Sequence, residues 1–203
     1  NGSARYICEM IGMASHAGTT PMDRRRDAAC GVAELALYIE KRAARDGTSV
    51  ATMGQLNVPS GSVNVVPGRC QFSLDLRAPT TEQRDAMVAD ILAEIEAIAQ
   101  RRGLRYSTEL AMKAAAAPSA PEWQQRWEAA VDALGVPLYR MPSGAGHDAV
   151  YMAPTGPMGM IFIPCLHGRS HAPEDWIETS QLLDGTRVLY ETVRVLDRQL
   201  AQG

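Results

Sequence analysis

The sequence is poor in the features that mark several classes of protein. Only 5% of its 203 residues are aromatic, and its formal net charge is -3. A chain with this charge has no basic surface for nucleic acid or anionic lipid. No apolar run reaches the ~20 residues of a membrane span, and the N-terminus lacks the pattern of a secretory signal. The sequence therefore predicts a protein with neither a nucleic-acid partner nor a membrane partner.

Cysteine is also scarce and widely spaced. Cys8, Cys30, Cys70 and Cys165 form no C-x-x-C pair, and three of them lie inside apolar-periodic runs. This usage indicates reduced thiols, most simply packed in a core, in a cytoplasmic protein. The sequence contains no phosphate loop, dinucleotide fingerprint or nucleophile elbow.

Hydrophobic periodicity in the first 117 residues predicts the element order βαββαβ. Strands are expected at 6–13, 50–58, 69–77 and 106–112, with an amphipathic helix after the first strand and another after the third. Right-handed crossovers place both helices on one face of a four-stranded antiparallel sheet. The second face is then polar and available to a partner or substrate.

Capping-box patterns at 20–23, 80–83 and 119–122 predict three helix starts. Pro21 falls at the first position of the first of these helices. The triplet Arg24–Arg26 is interpreted as the solvated start of that helix, with a like-charge cost against the helix dipole.

An alanine-rich run ending near residue 117 marks a domain boundary. Beyond it we expect a helix with two tryptophans, a glycine-rich turn at 143–149, a strand at 158–164 and a last helix at about 179–200. With a single good strand, this part is expected to be the tail of an α/β domain whose main part lies outside the sequence.

All four histidines lie in loops or at the ends of predicted elements. His16 follows a strand and precedes a helix, so it is either an ordinary surface residue or an imidazole presented on a rigid scaffold. His147 is either an exposed helix-start residue or a donor aimed at a developing negative charge. His167 is interpreted as structural.

The fourth histidine, His171, follows the end of the predicted strand at 158–164, where α/β sheets place ligands. With Glu174 and Asp175 it either ligates a metal or forms a local ion pair, and spacing alone favours neither. One histidine cannot make a zinc site, which needs three or four protein ligands.

Arg77 ends the polar face of the best strand, thirteen residues after Asn64. It is either an exposed arginine paired with Asp75, which contributes little, or a guanidinium beside an amide that binds a carboxylate in a bidentate manner. The residue types alone favour the first interpretation.

Five motifs occur in order along essentially the whole chain. They are His16-Ala-Gly-Thr-Thr-Pro-Met with Arg25-Arg-Asp-Ala, Asn64-Val-Val-Pro-Gly, Asp75-Leu-Arg, Ser143-Gly-Ala-Gly-His-Asp-Ala and Gly168-Arg-Ser-His-Ala-Pro. Taken together, these motifs resemble the group of N-carbamoyl-L-amino-acid hydrolases, allantoate amidohydrolases and β-ureidopropionases, a branch of the zinc aminoacylase/carboxypeptidase superfamily.

The resemblance implies an α+β architecture of two parts. Residues 1–117 correspond to a ferredoxin-like lid that also forms a homodimer, and residues 118–203 to the C-terminal part of an α/β metallohydrolase domain. The group uses two divalent ions, zinc or manganese, whose upstream ligands are not in this sequence. The 203 residues therefore resemble the C-terminal half of such an enzyme, a half that we expect to bind no metal and to be inactive alone.

The resemblance also implies roles for individual residues. His171 matches the last metal-ligating histidine, and His16 matches the lid histidine that supports the carbonyl oxygen under attack. Asn64 and Arg77 match the pair that holds the substrate carboxylate. The Gly146–His147 dipeptide matches contacts beside the substrate, and lid residues in the group can serve a neighbouring protomer.

The implied activity is metal-dependent hydrolysis of a linear C–N bond in an N-carbamoyl-L-amino acid or in allantoate, and the sequence does not distinguish these substrates. A non-catalytic dimerisation and ligand-binding module is the alternative from another class. A peptidase or aminoacylase of the same superfamily is a third possibility, against which the motif around His16 argues.

Overall fold

The computed structural model describes residues 1–170 and 172–201, and the chain divides into two compact units. The first unit comprises Asn1–Ala117 together with Pro142–Gly146. The second comprises Pro118–Met141 and the described residues from His147 onward. The chain therefore leaves the first unit after residue 117 and returns to it for one short segment.

The first unit is built on an antiparallel sheet with two long central strands. Strand β1 (Gly2–Ile11) lies between β6 (Arg69–Ala78) and β7 (Arg105–Ala114). Two short strands, β3 (Val50–Thr52) and β4 (Leu56–Asn57), pair with the other edge of β6. The strand order is β3-β6-β1-β7, and every pair is antiparallel as the element pattern predicts.

One face of this sheet is covered by two helices. Helix α1 (Ala28–Ala43) and helix α2 (Thr81–Arg102) pack on alternate residues of β1 and β6. The predicted alternation in β6 is confirmed, since Phe72 and Leu74 are only 3% and 1% exposed. The helix side chains that complete this core are Val32, Leu35, Ile39, Met87, Ile91, Ile95 and Ile98. Burying each such side chain contributes roughly 1.5–3 kcal/mol, so this layer holds the unit together.

Helix α2 begins and ends as its sequence predicts. The Thr80 hydroxyl accepts a hydrogen bond from the amide of Gln83 at 3.2 Å, which satisfies one of the unpaired donors at the helix start. Gly103 ends the helix in the left-handed conformation, with φ of 63°.

The predicted start of helix α1 is wrong. The pattern at 20–23 produces only a 3₁₀ turn, Met22–Arg24, with no side-chain cap. Asp27 caps α1 instead, because its carboxylate accepts hydrogen bonds from the amides of Ala29 and Cys30 at 2.9 and 3.1 Å. A carboxylate is a stronger acceptor here than a threonine hydroxyl, and it also complements the positive end of the helix dipole.

The predicted strand at 50–58 is interrupted. Residues 53–55 separate β3 from β4, and Ser73 of β6 spans the break. Its hydroxyl accepts a hydrogen bond from the Gln55 amide at 3.0 Å, and its own amide donates to the Gln55 carbonyl at 3.1 Å. A side chain thus replaces part of the regular ladder at this edge.

The second unit contains helices α3 (Pro121–Ala133), α4 (Ala149–Met152) and α5 (Thr179–Leu200). Helix α5 has the bounds that its periodicity predicts. The cap predicted at 119–122 is wrong, because Ala120 precedes the helix without a side-chain bond and Pro121 occupies the first helical position. Proline is preorganised for that position, so the helix starts without a polar cap.

The predicted strand at 158–164 is also wrong. Its residues are mostly half-buried but belong to no strand, and within the described ranges no strand pairs with them. A β-strand needs a hydrogen-bonded neighbour, and hydrophobicity alone does not supply one. The backbone is tied to α3 instead, through the Ala120 amide and the Met158 carbonyl at 2.8 Å.

The four cysteines are free thiols. Burial raises the pKa of Cys8 to about 12 and also raises the pKa of Cys70, as expected for packed side chains. Cys30 is exposed, so the packing interpretation is wrong for this residue. In the part of the chain that the structure describes, no helix is both long and apolar enough to cross a bilayer.

Candidate active site

His16 lies in a small second sheet that follows the end of β1. Strand β2 (Ser15–His16) pairs antiparallel with β5 (Val65–Val66), so that His16 is opposite Val65. The chain reaches β2 through Gly12, where a Cβ atom would lie 1.8 Å from the carbonyl oxygen of Arg26. Only glycine allows this close approach of two backbone segments, which sets the direction of the His16 loop.

The imidazole of His16 is held by the backbone of its own loop. Its Nδ1 accepts hydrogen bonds from the amides of Gly18 at 3.0 Å and Thr19 at 3.2 Å. A ring nitrogen that accepts hydrogen bonds carries no proton, so a neutral ring has its proton on Nε2. Because His16 is exposed, Nε2–H is a fixed donor on the surface, suited to a polarised carbonyl oxygen.

Asn64 lies beside His16, next to the start of β5. Its carbonyl accepts a hydrogen bond from the Ala17 amide at 2.9 Å. Its side-chain oxygen accepts one from the hydroxyl of Ser62, also at 2.9 Å. The structure therefore brings two of the predicted site residues, one imidazole and one amide, to the same small sheet.

Arg77 lies near the C-terminal end of β6 in a dense polar cluster. Its Nε and Nη2 donate to the two carboxylate oxygens of Asp75, each at 2.8 Å, and its Nη1 donates to the Gly144 carbonyl at 2.8 Å. Arg5 also donates to Asp75, at 3.0 Å. Hydrogen bonding from Arg77 lowers the pKa of Asp75, and Asp75 in turn raises the pKa of Arg77. The ion pair expected as one interpretation of Arg77 is present.

The contact between Arg77 and Gly144 places the glycine-rich segment 142–146 in the first unit, with Gly146 at its end. No spacing in the sequence indicates this contact, because a backbone carbonyl leaves no residue signature. The cluster borders a groove of about 640 Å³ on the helix-free face, lined by charged residues and by the apolar Ile7 and Val50. This groove can accept a ligand that is partly charged and partly apolar.

The two predicted parts of the site lie at opposite ends of the main sheet. Arg69, which opens β6 after β5, is opposite Ile11, whereas Arg77 is opposite Ser3 at the other end of β1. Arg69 and Arg77 are eight positions apart along this extended strand, which corresponds to about 26 Å. Within one copy, the amide of Asn64 is therefore not beside the guanidinium.

His147 is exposed and is the first residue of the longer of the two chain segments that make up the second unit. Its Nδ1 accepts a hydrogen bond from the Ala149 amide at 3.0 Å, the same local arrangement that orients His16. A neutral His147 therefore also carries its proton on Nε2. His167 adopts a left-handed backbone conformation with φ of 56° in a short 3₁₀ turn.

The predicted metal ligand His171 lies outside the described residues. Of the two carboxylates after it, Glu174 lies 3.8 Å from the guanidinium of Arg169, an exposed ion pair. In the described ranges no three His, Cys, Asp or Glu side chains are grouped so that they could hold a metal ion. These donors do not fit a two-metal site by themselves.

The sequence matches the model of peptidase family M20/M25/M40 over residues 5–195. It is 43% identical over 194 residues to an N-carbamoyl-L-amino acid amidohydrolase of Geobacillus stearothermophilus, covering 96% of this chain and 46% of that protein. It is 31% identical over 189 residues to the allantoate amidohydrolase of Escherichia coli, covering 93% and 46%.

Comparison with solved structures finds relatives with similar names. The structure is similar to an amidase of the hydantoinase/carbamoylase family from Burkholderia multivorans, with a TM-score of 0.89 and 32% identity over 94% of this chain and 47% of that one. The chain spans about half the length of the curated relatives it matches. It belongs to peptidase family M20/M25/M40, in the group of N-carbamoyl-L-amino-acid and allantoate amidohydrolases.

Proposed function

We propose that the full protein is a metal-dependent amidohydrolase that cleaves a linear C–N bond of an N-carbamoyl-L-amino acid or of allantoate. The observation that carries the proposal is the imidazole of His16, whose Nδ1 is held by two backbone amides so that Nε2–H faces outward. Such a donor suits the oxygen of a ureido or amide carbonyl under attack. The names of the relatives support the same substrate class.

In this proposal His16 acts on the atom where negative charge develops. As water attacks the carbonyl carbon, the oxygen becomes an oxyanion and its hydrogen bond from Nε2–H strengthens. A donor already held in place needs no reorganisation at that moment, which is why such groups lower the barrier. His147, with the same local arrangement of its ring, is proposed as a second contact beside the substrate, together with the backbone of Gly146.

Arg77 is proposed to bind the substrate carboxylate. A guanidinium has five N–H donors, and Asp75 and Gly144 take three of those of Arg77. The two that remain can receive a carboxylate, while Asp75 keeps the guanidinium from rotating. In this arrangement Asp75 does not compete with the substrate carboxylate but orients the guanidinium that binds it.

The separation of the two ends of the sheet supports a homodimer. A substrate of amino-acid size cannot bridge the distance of about 26 Å between the His16 end and Arg77. A two-fold axis that sets the exposed edge strands β7 antiparallel brings the His16 end of one copy level with the Arg77 end of the other. We therefore propose that the first unit is a ferredoxin-like lid, and that each site takes His16 and Asn64 from one copy and Arg77 from its partner.

The proposal includes two divalent ions, zinc or manganese, with His171 as one ligand, and a cytoplasmic location that the free thiols support. When bound, such ions activate a water molecule for attack. Removing metal from the full-length protein with a chelator should abolish hydrolysis, and adding zinc or manganese should restore it. Hydrolysis that survives complete metal removal would contradict this part.

The function is tested by a substrate panel on the full-length protein, with ammonia release as the readout. We expect turnover of allantoate or of at least one N-carbamoyl-L-amino acid, and no turnover of dipeptides or N-acyl amino acids. Binding of these ureido compounds without turnover would favour the non-catalytic binding module. Turnover confined to dipeptides or N-acyl amino acids would favour the peptidase or aminoacylase alternative.

A further inference from the structure

Arg25 differs from the two arginines beside it. The triplet Arg24–Arg26 is predicted to be solvated, and Arg24 conforms, with a side chain that is 78% exposed beside Asp23. Arg25 is half-buried, and the prediction is wrong for this residue. Its Nη2 donates to the carbonyl of Ala17 at 2.6 Å and its Nε to the carbonyl of Thr20 at 3.0 Å. One edge of the guanidinium thus binds the loop that carries His16.

The bond to Ala17 acts on the imidazole through a single peptide plane. In a planar trans peptide the C=O of one residue and the N–H of the next point in opposite directions. The carbonyl of Ala17 points to Arg25, and the amide of Gly18 in the same plane points to Nδ1 of His16 at 3.0 Å. Holding the carbonyl therefore holds the amide that orients the ring.

The bond to Thr20 fixes the other end of the same loop. The Thr20 amide donates to the His16 carbonyl at 3.1 Å and closes the turn, and its carbonyl is held by Arg25. The next residue, Pro21, has no amide hydrogen to share in this anchoring. Arg25 thus binds the carbonyls of the residues on either side of Gly18 and Thr19, whose amides bind the imidazole.

We propose that Arg25 is the positioning residue of His16, which keeps the imidazole in the Nε2–H form and directs it outward. This inference rests on the proposed role of His16 as a donor to the carbonyl oxygen. Arg25 itself does not touch the substrate and acts through the Ala17–Gly18 peptide. The guanidinium geometry matters, because two parallel N–H groups reach two carbonyls that a single ammonium cannot reach together.

The test uses the full-length enzyme with Arg25→Gln and Arg25→Lys, and Arg24→Gln as the matched control. Nitrogen-15 NMR of labelled histidine reports which ring nitrogen of His16 carries the proton, with His16→Gln to assign the signal. We expect the Nε2–H form in wild type and in Arg24→Gln, and a mixture of both forms in the two Arg25 variants. The expected loss of kcat is roughly tenfold to a hundredfold for Arg25→Gln, with KM little changed.

Melting temperatures show whether each variant is folded, and Arg25→Lys, which keeps the charge, is the variant to use if Arg25→Gln does not fold. A pure Nε2–H form in a folded Arg25 variant with full kcat would overturn the inference. If His16→Ala itself leaves kcat unchanged, the proposed function of His16 fails instead. A shifted ring proton with unchanged kcat would also overturn the positioning role, because the ring's orientation would then not matter to turnover.

Discussion

The two ends of the main sheet in the first unit hold the side chains of the proposed site by different means. At one end the backbone holds His16, through the amides of Gly18 and Thr19 on the ring. At the other end charged side chains hold Arg77, through both carboxylate oxygens of Asp75. A backbone-held N–H donor suits charge that appears only during a reaction, whereas a guanidinium suits a ligand that is charged from the start. Substitutions at the His16 end should therefore change kcat, whereas substitutions at the Arg77 end should change KM.

The largest effect is expected at the backbone-held end. His16→Ala in the full-length protein should lower kcat by on the order of 10²-fold or more, because it removes the donor that is proposed to act mainly in the transition state. KM should change little. Steady-state kinetics with the best substrate of the panel measures both, and Asp23→Asn, an exposed change in the same segment, is the control. A change confined to KM would mean that His16 binds the ground state and that the two ends do not differ.

A smaller effect, in the other parameter, is expected for Arg77→Ala. Losing charged hydrogen bonds to a carboxylate costs about 1.5–3 kcal/mol, so KM should rise by roughly tenfold to a hundredfold. The metal content, measured by elemental analysis, should not change, and Arg45→Ala, at an exposed loop position, should behave as wild type. An unaltered KM in the Arg77 variant would contradict binding of the substrate carboxylate by Arg77. The ion pair with Asp75 would then be its only role.

The smallest effect is expected for Asp75→Asn, which keeps the shape but removes the charge that orients Arg77. KM should rise by about fivefold or less, in line with partly exposed ion pairs. Because the pKa of Asp75 is lowered from 3.8 in the folded protein, its ion pair stabilises the fold above that pH and is lost as pH falls below it. Thermal melts from pH 7 to pH 2 should thus be less acid-sensitive in Asp75→Asn than in wild type, with the difference developing below pH 3.8. Equal acid sensitivity would contradict the strength of this pair.

Side-chain periodicity was sufficient to predict most of the first unit. The alternation around Phe72 and Leu74 and the stripes of α1 and α2 each follow from one local pattern, and each is buried as expected. The motifs containing His16 and Asn64 also indicated two residues that the structure places together. Local patterns succeed where the burial of one face decides the outcome.

Features that depend on distant backbone were not predictable. The apolar run at 158–164 has strand-like composition, but a strand also requires a pairing partner that composition cannot reveal. The contacts of Arg25 and Arg77 end on carbonyls of Ala17, Thr20 and Gly144, which any residue type could provide. Most of strand β6 lies between Asn64 and Arg77 in the chain, and its length keeps the two residues apart. The motifs identify both residues but carry no information about the distance between them.

The central claim, that one site takes His16 from one copy and Arg77 from another, is tested most directly with a mixed dimer. His16→Ala and Arg77→Ala chains of the full-length enzyme, carrying different affinity tags, are coexpressed and the heterodimer is purified through both tags. In a two-fold dimer with shared sites, one of the two sites then regains both residues, so the heterodimer should show about half of the wild-type kcat/KM, measured at substrate concentrations far below KM, where both parent variants are slow. A heterodimer no more active than its parent variants would show that both residues must come from the same copy, and would contradict the account.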